Sequence, residues 1–302
     1  MLPLTASVFF GGWLLSLTNT EKKALLENYK NGGFDAAQAE EKRKTLQPNL
    51  YAYNGTKLEQ KNNYNGTLSY SDGVDAVMVI PIRGVMTKED QPSGSYGMDA
   101  MAEWIQAAYE NDNILAVVID MFTPGGSVAG VEALGNIIAQ KTKPVIVFAN
   151  DLVASAGYWV SAGADVIIAS GENAQIGSIG AYVSFLDDTQ YLADNGLKVI
   201  DVYATQSSEK NADIRQYFDE GKLEKLQKRV DTYAGNFISH VKKNRPQLKY
   251  ADNPTTLEGA MFFAKEAKKV GLIDDIGTFS QALDVAFKMG KKKKRAKNSV
   301  MA

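Results

Sequence analysis

The sequence predicts an α/β fold built on a mostly parallel sheet, and three observations carry that prediction. From Val74 onward, short runs rich in valine and isoleucine alternate with helical stretches. Small and polar residues gather at the junctions between them, and the last third of the chain is mostly helical. Short apolar runs bounded by turn residues are the mark of strands buried on both faces, and strand–helix–strand order joins such strands through right-handed crossovers. Of 302 residues, 45% are hydrophobic and 23% charged, so the chain can bury a sizeable core without disulfide support.

Residues 1–73 are expected to form an N-terminal helical segment and a linker. Met1–Leu17 is largely apolar, but it lacks the basic start of a secretory signal and the roughly 20 apolar residues of a membrane span. No firm membrane anchor is therefore expected, and the cytoplasm is the expected location. Helices are expected over Thr20–Lys30, closed by Asn31-Gly32-Gly33, and from Asp35 to about Leu46, before Pro48. From Asn49 to Gly73 the chain is polar and repeats an Asn-Gly turn, Tyr53-Asn54-Gly55-Thr56 and Tyr64-Asn65-Gly66-Thr67, which reads as a linker.

Residues 74–288 read as the main domain. Strands are expected at Ala76–Ile82, Leu115–Met121, Pro144–Ala149, Val166–Ala169 and Val199–Tyr203. Between them lie expected helices at Met98–Glu110, Val128–Gln140, Ala156–Ala164 and Leu186–Asn195. A long amphipathic helix follows from about Gly221 to Lys243, and a last one near Ser280–Lys288. Residues 289–302 carry six cations at Lys291 to Lys294, Arg295 and Lys297, which leaves −8 on the remainder of a chain whose net charge is −2. Such a run reads as a disordered basic tail, able at most to meet nucleic acid or an acidic protein surface.

Two counts exclude much chemistry. With no cysteine and one histidine, His240, the chain has no cysteine nucleophile, thiolate metal site, disulfide framework or multi-histidine metal site, and no cofactor is expected. A Ser-His-Asp triad would have to pass through His240, which sits in the amphipathic helix with Tyr233 and Phe237 and reads as a packing residue.

In sheets of this kind, sites gather where strand C-termini meet helix N-termini. One junction is Thr123-Pro124-Gly125-Gly126-Ser127, a turn whose paired glycines let a bound group approach the backbone amides. Another is Ala154-Ser155-Ala156-Gly157-Tyr158, where Ser155 stands at a helix start. By itself Ser155 reads either as an ordinary N-cap or as a nucleophile beside exposed amides. With histidine set aside, the base left for a serine is a lysine whose pKa is lowered by burial. Lys210 closes the polar loop Thr205-Gln206-Ser207-Ser208-Glu209-Lys210, where a solvated lysine is the ordinary reading.

The ordered set Thr-Pro-Gly-Gly at 123–126, Ala-Ser-Ala-Gly at 154–157, Gly-Ser-Ile-Gly at 177–180 and Ser-Ser-Glu-Lys at 207–210 resembles the S49 family of serine peptidases. That family includes signal peptide peptidase A and the head-maturation proteases of tailed phages. The run Gly271-Leu272-Ile273-Asp274-Asp275-Ile276-Gly277 adds to the likeness, which extends from about Ala76 to Lys288. The phage branch is the more similar, through Asp120 to Gly126 with Val128-Ala129-Gly130, and through Ala149-Asn150-Asp151.

The resemblance implies a Clp protease/crotonase-like fold with repeated βαβ units, and a serine endopeptidase. Ser155 would be its nucleophile and Lys210 its general base. Gly126 and Ala156 would offer oxyanion-binding amides, Gly125 would shape that turn, and Ser178 would be a supporting hydroxyl. It further implies protein or peptide substrates, phage portal or scaffold proteins as partners, and a homo-oligomer in which serine and lysine can come from neighbouring subunits. Activity would rise toward alkaline pH with no histidine inflection. Upstream of the lysine, the family's Ser-Gly pair appears here as Gln206-Ser207, and Glu209 adjoins Lys210. Three other readings remain: a non-catalytic head-assembly component, a signal peptide peptidase acting on membrane-released peptides, and a crotonase-like acyl-CoA enzyme.

Overall fold

The computed structural model describes residues 8–9, 36–53, 57–63 and 74–301. In chain order the elements are β1 (Val8–Phe9), α1 (Ala36–Thr45), β2 (Asn49–Tyr53), β3 (Leu58–Asn63), β4 (Ala76–Arg83), α2 (Met98–Glu110), β5 (Ile114–Thr123), α3 (Val131–Ala139), β6 (Val145–Ala154), α4 (Ala156–Ala162), β7 (Val166–Ala169), β8 (Gln175–Gly177) and β9 (Tyr182–Val183). They continue with α5 (Thr189–Asp194), α6 (Ala212–Glu220), α7 (Glu224–Asn244), a 3₁₀ turn at Pro254–Leu257, β10 (Met261–Phe263), α8 (Ala264–Val270), β11 (Asp275–Ile276) and α9 (Phe279–Met301).

The main sheet runs β10-β8-β6-β5-β4-β2-β3, with β7 added beside β6 and β11 beside β7. Its centre is parallel: β4 pairs β5, β5 pairs β6, and β6 pairs first β7 and then β8 along its length. Alternation along β5 explains the layers. Val117, Ile119 and Met121 enter one core together with α2, α3, α4 and Phe237 and Val241 of α7. Ala116 and Val118 enter a second core on the opposite face, closed by Ala282, Leu283 and Ala286 of α9. Period-2 side chains on a doubly covered sheet read in sequence as an unbroken apolar run, which is why the central strands were legible.

Three expectations need correction. Residues 198–204 form no strand, and Val199, Ile200 and Val202 are 67, 75 and 91% exposed. A β-branched run favours a strand only where a neighbour supplies the ladder, and no strand among the described residues pairs with it. The stretch expected as a linker is partly sheet: β2 pairs antiparallel with both β3 and β4, so the sheet crosses the boundary expected at residue 73. Residues 54–56, with the first Asn-Gly pair, and the second repeat lie outside the described residues. So do the helix expected over Thr20–Lys30 and most of Met1–Leu17, apart from Val8–Phe9, which pairs antiparallel with Tyr182–Val183.

The third correction concerns the basic tail, which is the second half of the 23-residue helix α9. Lys291 and Lys294 both pair with Asp75, at the start of β4, and Gly290 packs so closely on Leu115 that a Cβ there would stand 2.6 Å from the Leu115 side chain. Charge repulsion within the run is offset by that buried-side anchor, which composition could not show.

Candidate active site

Ser155 joins the end of β6 to the start of α4. Its backbone has φ 55° and ψ −119°, a conformation that costs a residue with a side chain on the order of 1–3 kcal/mol. Neighbours hold it there: the Ser155 N–H donates to Gly177 O at 2.9 Å, and Ser155 O accepts the Trp159 N–H at 2.9 Å. Its side chain makes no capping hydrogen bond to the helix it precedes. Oγ is buried and has no hydrogen-bond partner among the described residues. The N-cap reading thus fails on geometry. What remains is a strained serine on a strand-to-helix turn with its hydroxyl free, the arrangement of a nucleophile elbow.

The Thr123-Pro124-Gly125-Gly126 turn follows β5, the strand next to β6. Gly125 adopts φ 105°, where a side chain would be strained. Gly126 forms a parallel bridge with Met86. In it, the Met86 N–H donates to Gly125 O at 2.8 Å and the Ser127 N–H donates to Met86 O at 2.8 Å. That pattern uses the groups flanking Gly126, so its own N–H points to the side of the strand opposite Met86. A Cβ at Gly126 would fall 1.9 Å from Met86 O, so only glycine allows the approach. The Ala156 N–H opens α4 and lies among the first-turn amides that have no acceptor within a helix. The Gly126 and Ala156 amides thus stand just past the ends of the adjacent strands β5 and β6.

Ser178 follows the Gly177 that pairs with Ala154 and accepts the Ser155 N–H. It adopts φ 54°, and its N–H donates to Ala260 O at 2.8 Å. The structure therefore gathers Ser155, Ala156, Gly125, Gly126 and Ser178 at the ends of β5, β6 and β8. It does not bring Lys210 to Ser155. Lys210 is exposed in the turn before α6, its N–H donating to Ser207 O at 3.1 Å. Its neighbour Glu209 pairs instead with Lys225 at 2.8 Å, which holds the Glu209 carboxyl below the usual range. The arm between β9 and α6 exposes apolar side chains, with Leu186, Tyr191 and Ile200 69–75% exposed.

His240 lies at the junction of α3, α4 and α7, its ring 5.5 Å from that of Trp159, while Trp159 stacks on Phe237 at 4.8 Å. Burial pushes its pKa down. Its role is packing, as the helical spacing implied. Sequence reasoning assigned no part to Thr123, Gly84 or Met86. Only the first of these carried a signal, as the residue opening the Pro-Gly-Gly turn.

The model of peptidase family S49 matches residues 137–293. The chain belongs to peptidase family S49. The match takes in Ser155, Ser178 and Lys210, while the Gly125-Gly126 turn lies before it. S49 relatives include Protease 4 of Haemophilus influenzae, 29% identical over 220 residues that cover 70% of this chain and 34% of the relative. Capsid assembly protease C of Escherichia phage lambda is 27% identical over 218 residues, covering 70% of this chain and 49% of the relative. The chain thus spans a third to a half of the length of these relatives. A solved structure of a membrane-bound stomatin-specific protease with a substrate peptide aligns at a TM-score of 0.41 and 17% identity, over 69% of this chain and 78% of that one. No helix among the described residues is long and apolar enough to cross a membrane.

Proposed function

We propose that the chain is a serine endopeptidase in which Ser155 is the nucleophile and Lys210 the general base. The observation that carries the reading is Ser155 itself: a strained backbone at the start of a helix and a buried hydroxyl with no partner among the described residues. A neutral Lys210 takes the hydroxyl proton as Oγ attacks the scissile carbonyl carbon. Gly126 and Ala156 amides hold the resulting oxyanion, and Ser178 supports the site. The lysine ammonium then protonates the departing amine, leaving an acyl-serine. Water, deprotonated by the same lysine, attacks the acyl carbon and the serine is restored.

Lys210 stands exposed on an arm with a bare apolar surface, which supports a homo-oligomer in which the arm of one copy packs on the next and the dyad is completed there. The substrates are proteins or peptides. A phage relative named as a capsid assembly protease favours a role in head assembly in the host cytoplasm, on scaffold or portal proteins. The exposed position of Lys210 is also what a non-catalytic head-assembly component would show. A fluorophosphonate probe separates the readings. The assembled wild-type chain is expected to be labelled at Ser155, with labelling and peptide hydrolysis lost in Ser155→Ala and hydrolysis lost in Lys210→Ala. Hydrolysis retained in either variant, or a wild-type serine that resists the probe, would overturn the dyad.

A further inference from the structure

We infer that Thr123 is a positioning residue whose hydroxyl holds the oxyanion-binding turn against the loop after β4, an inference that rests on the peptidase reading above. Thr123 ends β5 and is fully buried. Its side chain reaches three parts of the site. Oγ1 donates to Gly84 O at 2.7 Å and accepts the Gly125 N–H at 3.0 Å. Gly125 O is more distant, at 3.3 Å, so the single hydroxyl proton goes to Gly84 and a lone pair serves Gly125. The methyl group faces α4, where a Cβ on Gly157 would fall 2.4 Å from Thr123 Cγ2. One residue therefore touches the loop after β4, the turn after β5 and the second residue of the helix that Ser155 begins.

This arrangement answers a physical need. Paired glycines are the most permissive backbone available, so nothing within Gly125-Gly126 fixes the direction of the Gly126 N–H. The direction must be imposed from outside. Met86 imposes it on one edge through its two backbone hydrogen bonds, and Thr123 ties Gly84, two residues before Met86, to the same turn. The hydroxyl thereby fixes the turn, while the methyl only packs on Gly157 of the neighbouring helix. Donor placement within a fraction of an ångström is what oxyanion stabilisation requires.

Valine has the shape of threonine without the hydroxyl, and serine keeps the hydroxyl without the methyl. Thr123→Val is expected to lower kcat about 10- to 100-fold with KM little changed, because misplacing a donor by about 1 Å costs on that order. Binding of a peptide boronate, which mimics the tetrahedral intermediate, should weaken in step with kcat/KM. Thr123→Ser should recover most of kcat. Independently of turnover, amide exchange at Gly125, Gly126 and Ser127 should quicken in Thr123→Val and not in Thr123→Ser. Wild-type kcat in the valine variant, unchanged exchange at 125–127, or a serine variant as slow as the valine one would each overturn the inference. A wild-type chain that hydrolyses nothing would refute the peptidase reading separately, and the exchange comparison would still decide whether Thr123 holds the turn.

Discussion

Replacing Gly126 by alanine tests the oxyanion turn most directly, because the structure sets the size of the perturbation. The new Cβ would stand 1.9 Å from Met86 O and 2.6 Å from both Met86 C and Met86 N, whereas ordinary contact begins at 3.4 Å. The difference, about 1.5 Å against Met86 O, must be absorbed by backbone on both sides, since no flexible side chain is there to give way. Retreat of that order breaks the two 2.8 Å hydrogen bonds between Met86 and the turn and redirects the Gly126 N–H. Loss of one oxyanion donor costs about 10²–10³ in kcat, or about 2.7–4 kcal/mol of transition-state stabilisation. Gly126→Ala should therefore fall at least about 100-fold in kcat, with a lower melting temperature from the broken bridge. Gly171→Ala is the matched control, because a Cβ there meets nothing within 4 Å. Peptide hydrolysis and thermal melting on both variants make the assay. An alanine at 126 that turns over like wild type would show that this turn does not border the reacting carbonyl, and the oxyanion argument would fall with it.

Two further outcomes concern the scaffold. Arg245 is 2% exposed and donates to both carboxylate oxygens of Asp274 at 2.9 Å and to Gly271 O at 3.1 Å, so Arg245→Ala should cost about 3 kcal/mol by urea unfolding, the low end for breaking a buried pair because Asp274 keeps some solvent contact; an unchanged midpoint would contradict that. Burial lowers the His240 pKa in the folded chain, so the unfolded chain binds the extra proton more readily, and stability should be full above about pH 6.5 and decline as pH falls through the folded value. His240→Gln should remove that part of the slope while leaving hydrolysis intact, and lost hydrolysis in a folded variant would return His240 to the catalytic machinery.

The parts of the fold that the sequence announced are those where burial alone selects the conformation. Strands β4 to β7 lie between two apolar layers, so an unbroken Val/Ile run has one outcome, and the observed ends differ from the expected ones by at most two residues, except that β6 runs five residues further, to Ala154. The run at 199–203 has the same composition with the opposite result, because its outcome depends on a partner strand that the described chain does not offer. The basic stretch after Lys288 is similar. Like charges predict a solvated tail, yet Asp75, more than two hundred residues away, gives two of the lysines a partner and keeps the helix going.

The site divides in the same way. Ser155, Ala156, Gly125, Gly126 and Ser178 stand at strand ends, where chain connectivity and parallel pairing bring short motifs together whatever the loops do. Sequence by itself therefore determined the central strands β4 to β7, the candidate junctions at their ends, and the absence of a cysteine or multi-histidine alternative. Only tertiary structure decided that Ser155 is no helix cap, that Thr123 and Met86 fix the glycine turn, and that Lys210 lies out on an exposed arm. Each of those depends on a contact between residues far apart in the chain or on a backbone conformation that such contacts enforce, and local sequence carries neither.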